Sequence, residues 1–360
     1  MESVYIHIPF CRSICTYCDF CKLLYHGPWV TQYLNSLLME IEHRYNGELI
    51  KTLYIGGGTP SVLQEKELKY LFEIIKRFNL DENVEFTFEC NLNDINADFL
   101  VILKNNGVNR LSIGIESFNE DKLKFMGREH SFDDASEKIK LARSLGFNNI
   151  NVDLIYGIPG EKTKDLKKDL ELILKLEPDH ISTYSLIVED NTKIAIDGVV
   201  PIDEELDAEM YEIICEKLES KKYNRYEISN FSLIGKESRH NLNYWNNNEY
   251  FGFGLGASGY IHGVRYDNTR NLFKYIKGDF LNKEEVLSKE DKMYNELMLG
   301  FRKIQGINLK EFFLKYDINM QEAFDLKEVL KSRELIYEDG YIYVNPEYIY
   351  VMNEILIKIL

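Results

Sequence analysis

The chain has 360 residues, 45% hydrophobic and 28% charged, which is the composition of an ordinary globular protein with room for one large and one small domain. Its 43 Lys and Arg against 59 Asp and Glu leave a formal net charge of −16, which argues against a partner that presents a phosphate backbone. With no signal-peptide pattern, no membrane-length apolar run and six cysteines, three of them clustered, the sequence predicts a reduced cytoplasmic protein rather than a disulfide scaffold.

Strand-like and helix-like segments alternate over the first 230 residues. The strand-like runs lie at 4–8, 51–55, 84–89, 110–115, 149–156 and 180–186, with a weaker one at 225–228. This alternation predicts about six βαβ units and a parallel sheet. Glycines and polar residues fall at or near the carboxyl ends of successive strands. Because those ends share one face in a β/α barrel, the pattern favours a partial (β/α)6 barrel of the TIM type over an open doubly wound sheet.

The pattern changes from Lys292 onward. Helical segments at 296–301, 309–316 and 320–332 precede a predicted hairpin over 335–344 that turns at Asp339-Gly340. We expect a small α+β domain of winged-helix type here, serving as a lid or partner surface because the acidic chain argues against DNA binding. The predicted organisation is a barrel over 1–230, a linking region over 231–290 and a C-terminal domain over 291–360.

Three cysteines at CxxxCxxC spacing, Cys11, Cys15 and Cys18, lie in one short loop after the first strand. Three thiolates can hold three irons of a [4Fe–4S] cluster and leave the fourth iron open to a ligand. The alternative is a zinc site that also uses Cys21. Cysteine pairs in zinc sites usually lie farther apart in sequence, so the spacing favours the cluster. The role of Cys21 stays open.

The cysteine loop, with Tyr17 before its last cysteine and the flanks 4–10 and 19–20, resembles the cluster loop of radical S-adenosylmethionine (SAM) enzymes. Within them it is similar to the oxygen-independent coproporphyrinogen III oxidase-like group, which includes the HemW-type haem chaperones. This resemblance implies a [4Fe–4S] cluster on the three cysteines, with SAM on the open iron. In radical SAM enzymes the reduced cluster cleaves SAM to methionine and a 5′-deoxyadenosyl radical. It also implies an electron donor such as flavodoxin or ferredoxin.

The same resemblance implies a set of SAM-binding residues at the strand ends. They are Tyr5, Tyr17, Gly57, Gly58, Thr59, Glu89, Glu116, Arg128 and Asp153. The family normally carries Gln where this chain has Glu116, and ionised Glu accepts hydrogen bonds without donating any. Structural alternatives are a tight turn for the glycines, core aromatics for the tyrosines, a surface salt bridge for Arg128 and a buried structural carboxylate for Asp153.

The segment Arg239-His240-Asn241-Leu242-Asn243-Tyr244-Trp245 resembles the HNxxYW motif of HemW-type proteins, in which the His is implicated in haem binding. The resemblance makes His240 a candidate axial ligand for haem. The alternative is a structural histidine, because imidazole caps and hydrogen-bonds readily. Both alternatives stay open at this point.

Two functions compete. One is a HemW-like haem chaperone that binds the cluster, SAM and haem and delivers haem to acceptor proteins. The other is an oxygen-independent coproporphyrinogen III oxidase, which decarboxylates propionates in porphyrin biosynthesis. The His240 segment and the absence of a fourth cysteine at CxC spacing favour the chaperone. No catalytic residue is predicted.

Overall fold

The computed structural model describes residues 2–360. The strands are β1 (Ser3–Ile8), β2 (Phe10–Cys11), β3 (Leu23–Leu24), β4 (Leu49–Gly57), β5 (Asn79–Asn91), β6 (Arg110–Glu116), β7 (Ile150–Tyr156), β8 (His180–Ser185), β9 (Asn224–Arg225), β10 (Asn230–Ser232), β11 (Phe251–Gly254), β12 (Ser258–Ile261), β13 (Val264–Asn268), β14 (Leu281–Val286), β15 (Ile307–Asn308), β16 (Leu335–Glu338) and β17 (Tyr341–Val344). The helices are α1 (Gly27–Arg44), α2 (Glu65–Ile75), α3 (Ala97–Asn105), α4 (Glu120–Met126), α5 (Phe132–Ser144), α6 (Thr163–Lys175), α7 (Lys193–Ile196), α8 (Glu204–Glu219), α9 (Arg239–Trp245), α10 (Leu272–Ile276), α11 (Lys289–Gly300), α12 (Leu309–Tyr316), α13 (Met320–Ala323), α14 (Lys327–Lys331) and α15 (Met352–Ile359). Short 3₁₀-helices span Pro60–Val62, Leu92–Asp94 and Pro346–Val351.

The main sheet of residues 2–360 has nine strands in the order β11-β1-β4-β5-β6-β7-β8-β10-β9. The neighbours from β1 to β8 are parallel throughout and follow chain order, with helices between most of them. This arrangement confirms the predicted partial (β/α)6 barrel. The sheet gains β11 in parallel on β1 at one edge and β10 in antiparallel on β8 at the other.

Alternation along the strands explains how this sheet can be buried on both faces. On β5, Phe86 and Phe88 point outward, where both rings meet Phe72 of α2. Their neighbours Glu85 and Glu89 point to the concave side of the sheet, where they meet polar groups of other elements. We call this concave side the lumen.

The lumen has two ends. We call the end at the carboxyl termini of the strands the mouth, which Gly57, Glu89 and Asp153 mark. The opposite end is the floor, where residues near the strand starts, Thr52 and Glu85 among them, contact α9. Helix α9 therefore covers the floor and leaves the mouth to the loops that follow the strands.

The C-terminal part contains the predicted winged-helix-like elements. Strands β15, β17 and β16 form a three-stranded antiparallel sheet beside α11 to α14. The hairpin turns where predicted, with positive φ at Asp339 and Gly340. The single helix predicted over 320–332 is wrong: it is split into α13 and α14, because Phe324 is extended and Asp325 accepts a hydrogen bond from the Lys327 N–H.

Two further expectations need correction. The weak strand predicted at 225–228 is replaced by β9 and β10, which pair with each other around the turn. Strand β11, from the predicted linking region, was not anticipated as part of the main sheet. The predicted boundaries at residues 230 and 290 stay predictions. Among residues 2–360, none of the helices combines the length and the apolar character needed to cross a membrane.

Candidate functional site

The cysteine loop lies at the mouth and is tied to two other elements. Thr16 donates its hydroxyl to the Phe125 carbonyl at the end of α4, at 2.8 Å, and its own carbonyl accepts from the Ile194 N–H of α7 at 3.1 Å. Cys11 is buried, whereas Cys15 and Cys18 are half-buried, and all three thiols are free. The loop therefore holds its three cysteines between two helices without using them for structural disulfides.

Burial disfavours thiolates in this loop. It is the main cause that raises the pKa of Cys11 to about 11, and it also raises the pKa of Cys18. Three thiolates here need a positive counter-charge, which iron would supply. In the described residues 2–360, no three His, Cys, Asp or Glu side chains are grouped to hold a metal ion. A [4Fe–4S] cluster distributes its thiolates over separate irons, so this finding concerns single-ion sites.

Cys21 has different surroundings. A Cβ atom built on Gly256 would lie 2.6 Å from the Cys21 Cβ and 3.0 Å from its Sγ, so this thiol packs under the Gly256 turn. Arg270 hydrogen-bonds to the same thiol. A zinc site that used Cys21 with the other three cysteines would require it to leave both contacts.

The glycine run at the end of β4 admits side chains from β5, β1 and the cysteine loop. A Cβ on Gly56 would lie 2.7 Å from the Glu89 carboxyl carbon, one on Gly57 2.7 Å from the His7 ring, and one on Gly58 2.9 Å from Cys11 Sγ. Gly57 also has φ +116°, which L residues rarely adopt. These glycines are therefore required for close approach, and they join the cysteine loop to the mouth of the lumen.

Hydrogen bonds of its backbone and side chain tie Thr59 to the cysteine loop. Its N–H donates to the Phe10 carbonyl at 2.8 Å, and its side chain hydrogen-bonds to the Cys11 thiol. Gly58 donates its N–H to the Ile8 carbonyl at 2.9 Å. The glycine run and the cysteine loop thus form one backbone unit.

Both carboxylate oxygens of Glu89 accept hydrogen bonds. Its Oε1 accepts from the Tyr54 hydroxyl at 2.7 Å, and its Oε2 accepts from the Gly57 N–H at 3.0 Å. Burial raises the pKa of Glu89 to about 7, and the charge of Glu116 adds to the rise. Burial likewise raises the pKa of Asp153 to about 7, with Glu116 and Glu89 as further causes. Crowded buried carboxylates of this kind favour a cationic ligand.

Glu116 stands on strained backbone. Its φ is +66°, and the β6–β7 register shifts between Gly114 and Glu116. A non-glycine residue in this region is uncommon, and such strain clusters at functional sites. Glu116 Oε1 lies 2.9 Å from Arg128 Nη2, and Arg128 Nη1 donates to the Gly114 carbonyl at 2.9 Å.

Arg128 is a half-buried residue of the mouth rather than part of a surface salt bridge. Its side chain is 16% exposed, and that of its partner Glu116 is 7% exposed. Arg128 Nη2 also donates to the Tyr17 hydroxyl at 3.5 Å, while its buried Nε has no partner among the described residues. The Glu that replaces the family's usual Gln therefore forms an ion pair with the predicted SAM-binding arginine.

Tyr5 leads to a residue that the sequence did not single out. Its hydroxyl lies 2.9 Å from His7 Nδ1, and His7 Nε2 lies 2.7 Å from the Cys21 carbonyl oxygen. Because that carbonyl can only accept, Nε2 carries the proton and Nδ1 accepts from Tyr5. Burial lowers the pKa of His7 to about 4, so the ring is neutral. The sequence predicted no role for His7, although its place near the end of β1, four residues before Cys11, was a usable signal.

The structure thus brings the predicted residues together at one end of the lumen, with the exception of His240. The group at the mouth comprises Tyr5, Tyr17, Gly57, Gly58, Thr59, Glu89, Glu116, Arg128 and Asp153, next to Cys11, Cys15 and Cys18. Tyr54, which no sequence signal singled out, belongs with them through Glu89. Its inward position on β4, two residues before the glycine run, could have indicated it.

His240 lies at the floor and is 1% exposed. Its Nδ1 is 2.8 Å from the Thr52 hydroxyl, and its Nε2 is 2.8 Å from the Tyr244 hydroxyl. Burial, helped by the charge of Arg110, lowers its pKa to about 3. Both ring nitrogens are occupied, which is the geometry of a structural histidine. Axial ligation of haem by His240 stays a prediction, and it would require one of these hydrogen bonds to break.

Two family models match the chain: the Radical SAM superfamily over residues 5–173 and the HemN C-terminal domain over residues 287–351. The chain is 40% identical to Heme chaperone HemW of Bacillus subtilis, over 98% of this chain and 96% of that protein. It is 39% identical to Heme chaperone HemW of Lactococcus lactis, over 94% of this chain and 91% of that protein. The chain belongs to the HemW family. Among solved structures, coproporphyrinogen III oxidase (HemN) from Escherichia coli superposes with a TM-score of 0.87 at 21% identity, covering 99% of this chain and 89% of that one, and so shares the fold.

Membership of the radical SAM superfamily implies a [4Fe–4S] cluster and SAM, and the mouth fits both. The glycine run packs directly on Cys11, so a ligand held there would adjoin the cluster. Glu89 and Asp153 supply negative charge for a sulfonium or ammonium group. The unpaired Arg128 Nε is a free donor at the same place. His240 lies outside both family models, which cover residues 5–173 and 287–351.

Proposed function

We propose that this chain is a haem chaperone that binds a [4Fe–4S] cluster, SAM and haem and delivers haem to acceptor proteins. The observation that carries the proposal is the 40% identity with Heme chaperone HemW of B. subtilis over 98% of the chain. That similarity extends over the barrel and the C-terminal segment alike. The likeness to coproporphyrinogen III oxidase, at 21% identity, supports the fold alone.

In this proposal the mouth holds the cofactors. Cys11, Cys15 and Cys18 bind the cluster, and the glycine run takes the methionyl end of SAM. Glu89 and Asp153 offset the positive charge of SAM, because both carboxyls lie buried in the lumen. When bound, the cluster and SAM supply one-electron chemistry, and the chain supplies orientation and the exclusion of water.

The partners belong to the same proposal. An electron donor such as flavodoxin or ferredoxin would reduce the cluster, and unspecified haem-acceptor proteins would receive the cargo. Ile14 and Phe20 of the cysteine loop are 45% and 62% exposed, and Leu24 of β3 is 57% exposed. Exposed apolar side chains in and just after the cysteine loop support contact between this segment and the apolar porphyrin plane.

Anaerobic reconstitution with iron and sulfide tests the proposal. One half of the sample receives haem, and the other receives SAM, a reductant and coproporphyrinogen III. A haem chaperone gives stable haem absorption and passes the haem to an apo-acceptor, with no decarboxylated product. Turnover of coproporphyrinogen with release of 5′-deoxyadenosine would show an oxidase and overturn the proposal. The Cys11→Ala variant, treated identically, is the control for cluster-dependent signals.

A further inference from the structure

We propose that His240 is a positioning residue for the SAM site: its ring packs on Tyr54, holds the Tyr54 hydroxyl on Glu89, and thereby sets the affinity for SAM. The inference rests on the proposed binding of SAM at the mouth. It gives the HNxxYW segment a role that does not involve ligation of iron.

The first step is the attachment of α9 to the floor. Glu85, which is buried on β5, accepts from the N–H groups of Arg239 and His240, both at 3.0 Å. The Ser238 hydroxyl accepts from the Asn241 N–H at 3.3 Å. One buried carboxylate thus satisfies two N–H groups that the first turn of a helix leaves unpaired. The backbone of His240 is therefore anchored to a strand of the barrel.

The second step is the orientation of the ring. The Thr52 hydroxyl donates to Ser3 at 2.8 Å, so it accepts from His240 Nδ1. His240 Nε2 then accepts from the Tyr244 hydroxyl. These two bonds define the tautomer and the plane of the imidazole. Because the ring is buried and neutral, it presents a flat face rather than a charge to its neighbours.

The third step is the contact with Tyr54. The centroids of the His240 and Tyr54 rings are 5.1 Å apart, with an angle of 30° between the planes. The Tyr54 ring also lies 6.1 Å from that of Tyr5. Offset aromatic packing of this kind restricts the ring and, with it, the place of the hydroxyl.

The last step reaches the mouth. The Tyr54 hydroxyl donates to Glu89 Oε1 at 2.7 Å, and Glu89 Oε2 accepts from the Gly57 N–H at 3.0 Å. Three contacts therefore connect His240 with the glycine run. Without the imidazole, Tyr54 gains space at the floor and its bond to Glu89 weakens. Loss of one hydrogen bond to a charged group corresponds to a change of roughly tenfold or more in an equilibrium constant.

A double-mutant cycle tests this path. The dissociation constant for SAM is measured by calorimetry on reconstituted wild type, His240→Ala, Tyr54→Phe and the double variant, and haem binding is titrated on the same samples. We expect each single variant to weaken SAM binding by about tenfold, and the double variant to be no weaker than either one, because both remove the same contact to Glu89. The haem titration separates the positioning role from ligation of iron, because ligation alone predicts a loss of haem affinity with SAM affinity unchanged. His240→Phe, which keeps a ring beside Tyr54, should recover part of the SAM affinity.

The control for lost stability is Leu170→Ala, a fully buried residue of α6 on the outer side of the sheet. It should lower the melting temperature and leave SAM affinity unchanged. Should His240→Ala fail to fold, Tyr244→Phe replaces it, and a loss of SAM affinity that is not additive with Tyr54→Phe supports the proposal.

The opposing outcomes are distinct. Unchanged SAM affinity in His240→Ala, or strictly additive losses in the cycle, would overturn the positioning role. Loss of haem binding with normal SAM affinity would also overturn it and would make His240 a haem ligand. Failure of the wild type to bind SAM would instead overturn the cofactor proposal on which this inference rests.

Discussion

Both ends of the lumen contain buried titratable side chains, but the two ends differ in how far the protein itself satisfies them. At the floor, the buried histidines His180 and His240 have both ring nitrogens engaged by protein groups. At the mouth, buried carboxylates crowd one another, and Glu116 sits at positive φ. The comparison teaches that a polar lumen is not by itself a binding site. The end suited to a ligand is the one where buried carboxylates crowd one another and backbone strain remains.

The two floor histidines are alike in a second respect. His180 Nδ1 lies 2.6 Å from Asn151 Oδ1, and Asn151 Nδ2 donates to Asp153 Oδ1 at 2.8 Å. His240 reaches Glu89 through Tyr54. One intervening side chain, Asn151 or Tyr54, therefore connects each histidine with a carboxylate of the mouth. The floor thus supports the mouth as a rigid base.

The largest expected effect lies at the mouth. Replacing Cys11, Cys15 or Cys18 by Ala removes a thiolate that no neighbouring group can replace, so the reconstituted protein should lose its cluster entirely. Iron and acid-labile sulfide per chain are the measurement. Cys21→Ala is the matched control and should retain the cluster, because that thiol faces Gly256 and Arg270. Loss of iron from Cys21→Ala would instead favour a four-cysteine site.

The next effect lies at the floor. Glu85→Ala leaves the N–H groups of Arg239 and His240 buried without an acceptor. At about 1–3 kcal/mol for each unsatisfied group, we expect the free energy of unfolding to fall by about 3 kcal/mol. Urea unfolding of the cluster-free protein measures it. Glu85→Gln, which retains one acceptor, should lose clearly less, and equal losses in the two variants would count against this account.

The pH dependence of stability also distinguishes the mouth from the floor. The pKa of Glu89 is raised to about 7 from its usual 4.5, so the folded state binds more protons than the unfolded state between these values. Stability should therefore fall as the pH rises from about 4.5 to 7 and stay reduced above it, by about 3 kcal/mol from this group. Glu89→Gln removes that dependence. Any stability lost because the amide bonds less well to the Gly57 N–H is the same at every pH and does not affect the comparison.

The measurement is the melting temperature of the cluster-free protein across pH 5–8. The difference between the Glu89→Gln and wild-type melting temperatures should grow in favour of the variant as the pH rises from 5 to 7. At the floor, His240 contributes a slope of the opposite sign below about pH 6.5, because its pKa is lowered from the usual 6.5 to about 3 and the unfolded state binds more protons there. Both proteins share this contribution, so it cancels in their difference. Parallel curves for the two proteins would show that the Glu89 carboxyl is not buried as described.

The smallest effect concerns a charge pair at the rim of the mouth. Arg12 Nη2 lies 2.9 Å from Asp94 Oδ1, and the Arg12 side chain is 75% exposed. Arg12→Ala should change the free energy of unfolding by less than about 1 kcal/mol, and added salt should reduce the difference. Iron content should match that of the wild type. A loss of several kcal/mol would mean that Arg12 packs on its neighbours through more than its charge.

Much of the architecture could be predicted because it depends on local periodicity. The alternation of strand and helix patterns placed the six parallel strands, and the Asp339-Gly340 turn placed the C-terminal hairpin. The cysteine loop and the glycine run were recognisable because their chemistry depends on spacing within a few residues. Strand β11 was missed because its partner β1 lies about 250 positions earlier, and no local pattern records such a pairing.

What the sequence alone determined was the order of the elements, the polar residues at the strand ends, and the family. Only the tertiary structure decided which side chains meet. Thr52 and His240 are 188 residues apart, and Tyr54 and Glu89 are 35 apart. A hydrogen bond or a ring contact requires atoms within a few ångström, and that distance depends on the curvature of the whole sheet. For this reason the ion pair of Glu116 with Arg128, and the place of His240 beneath Tyr54, became visible only in the folded chain.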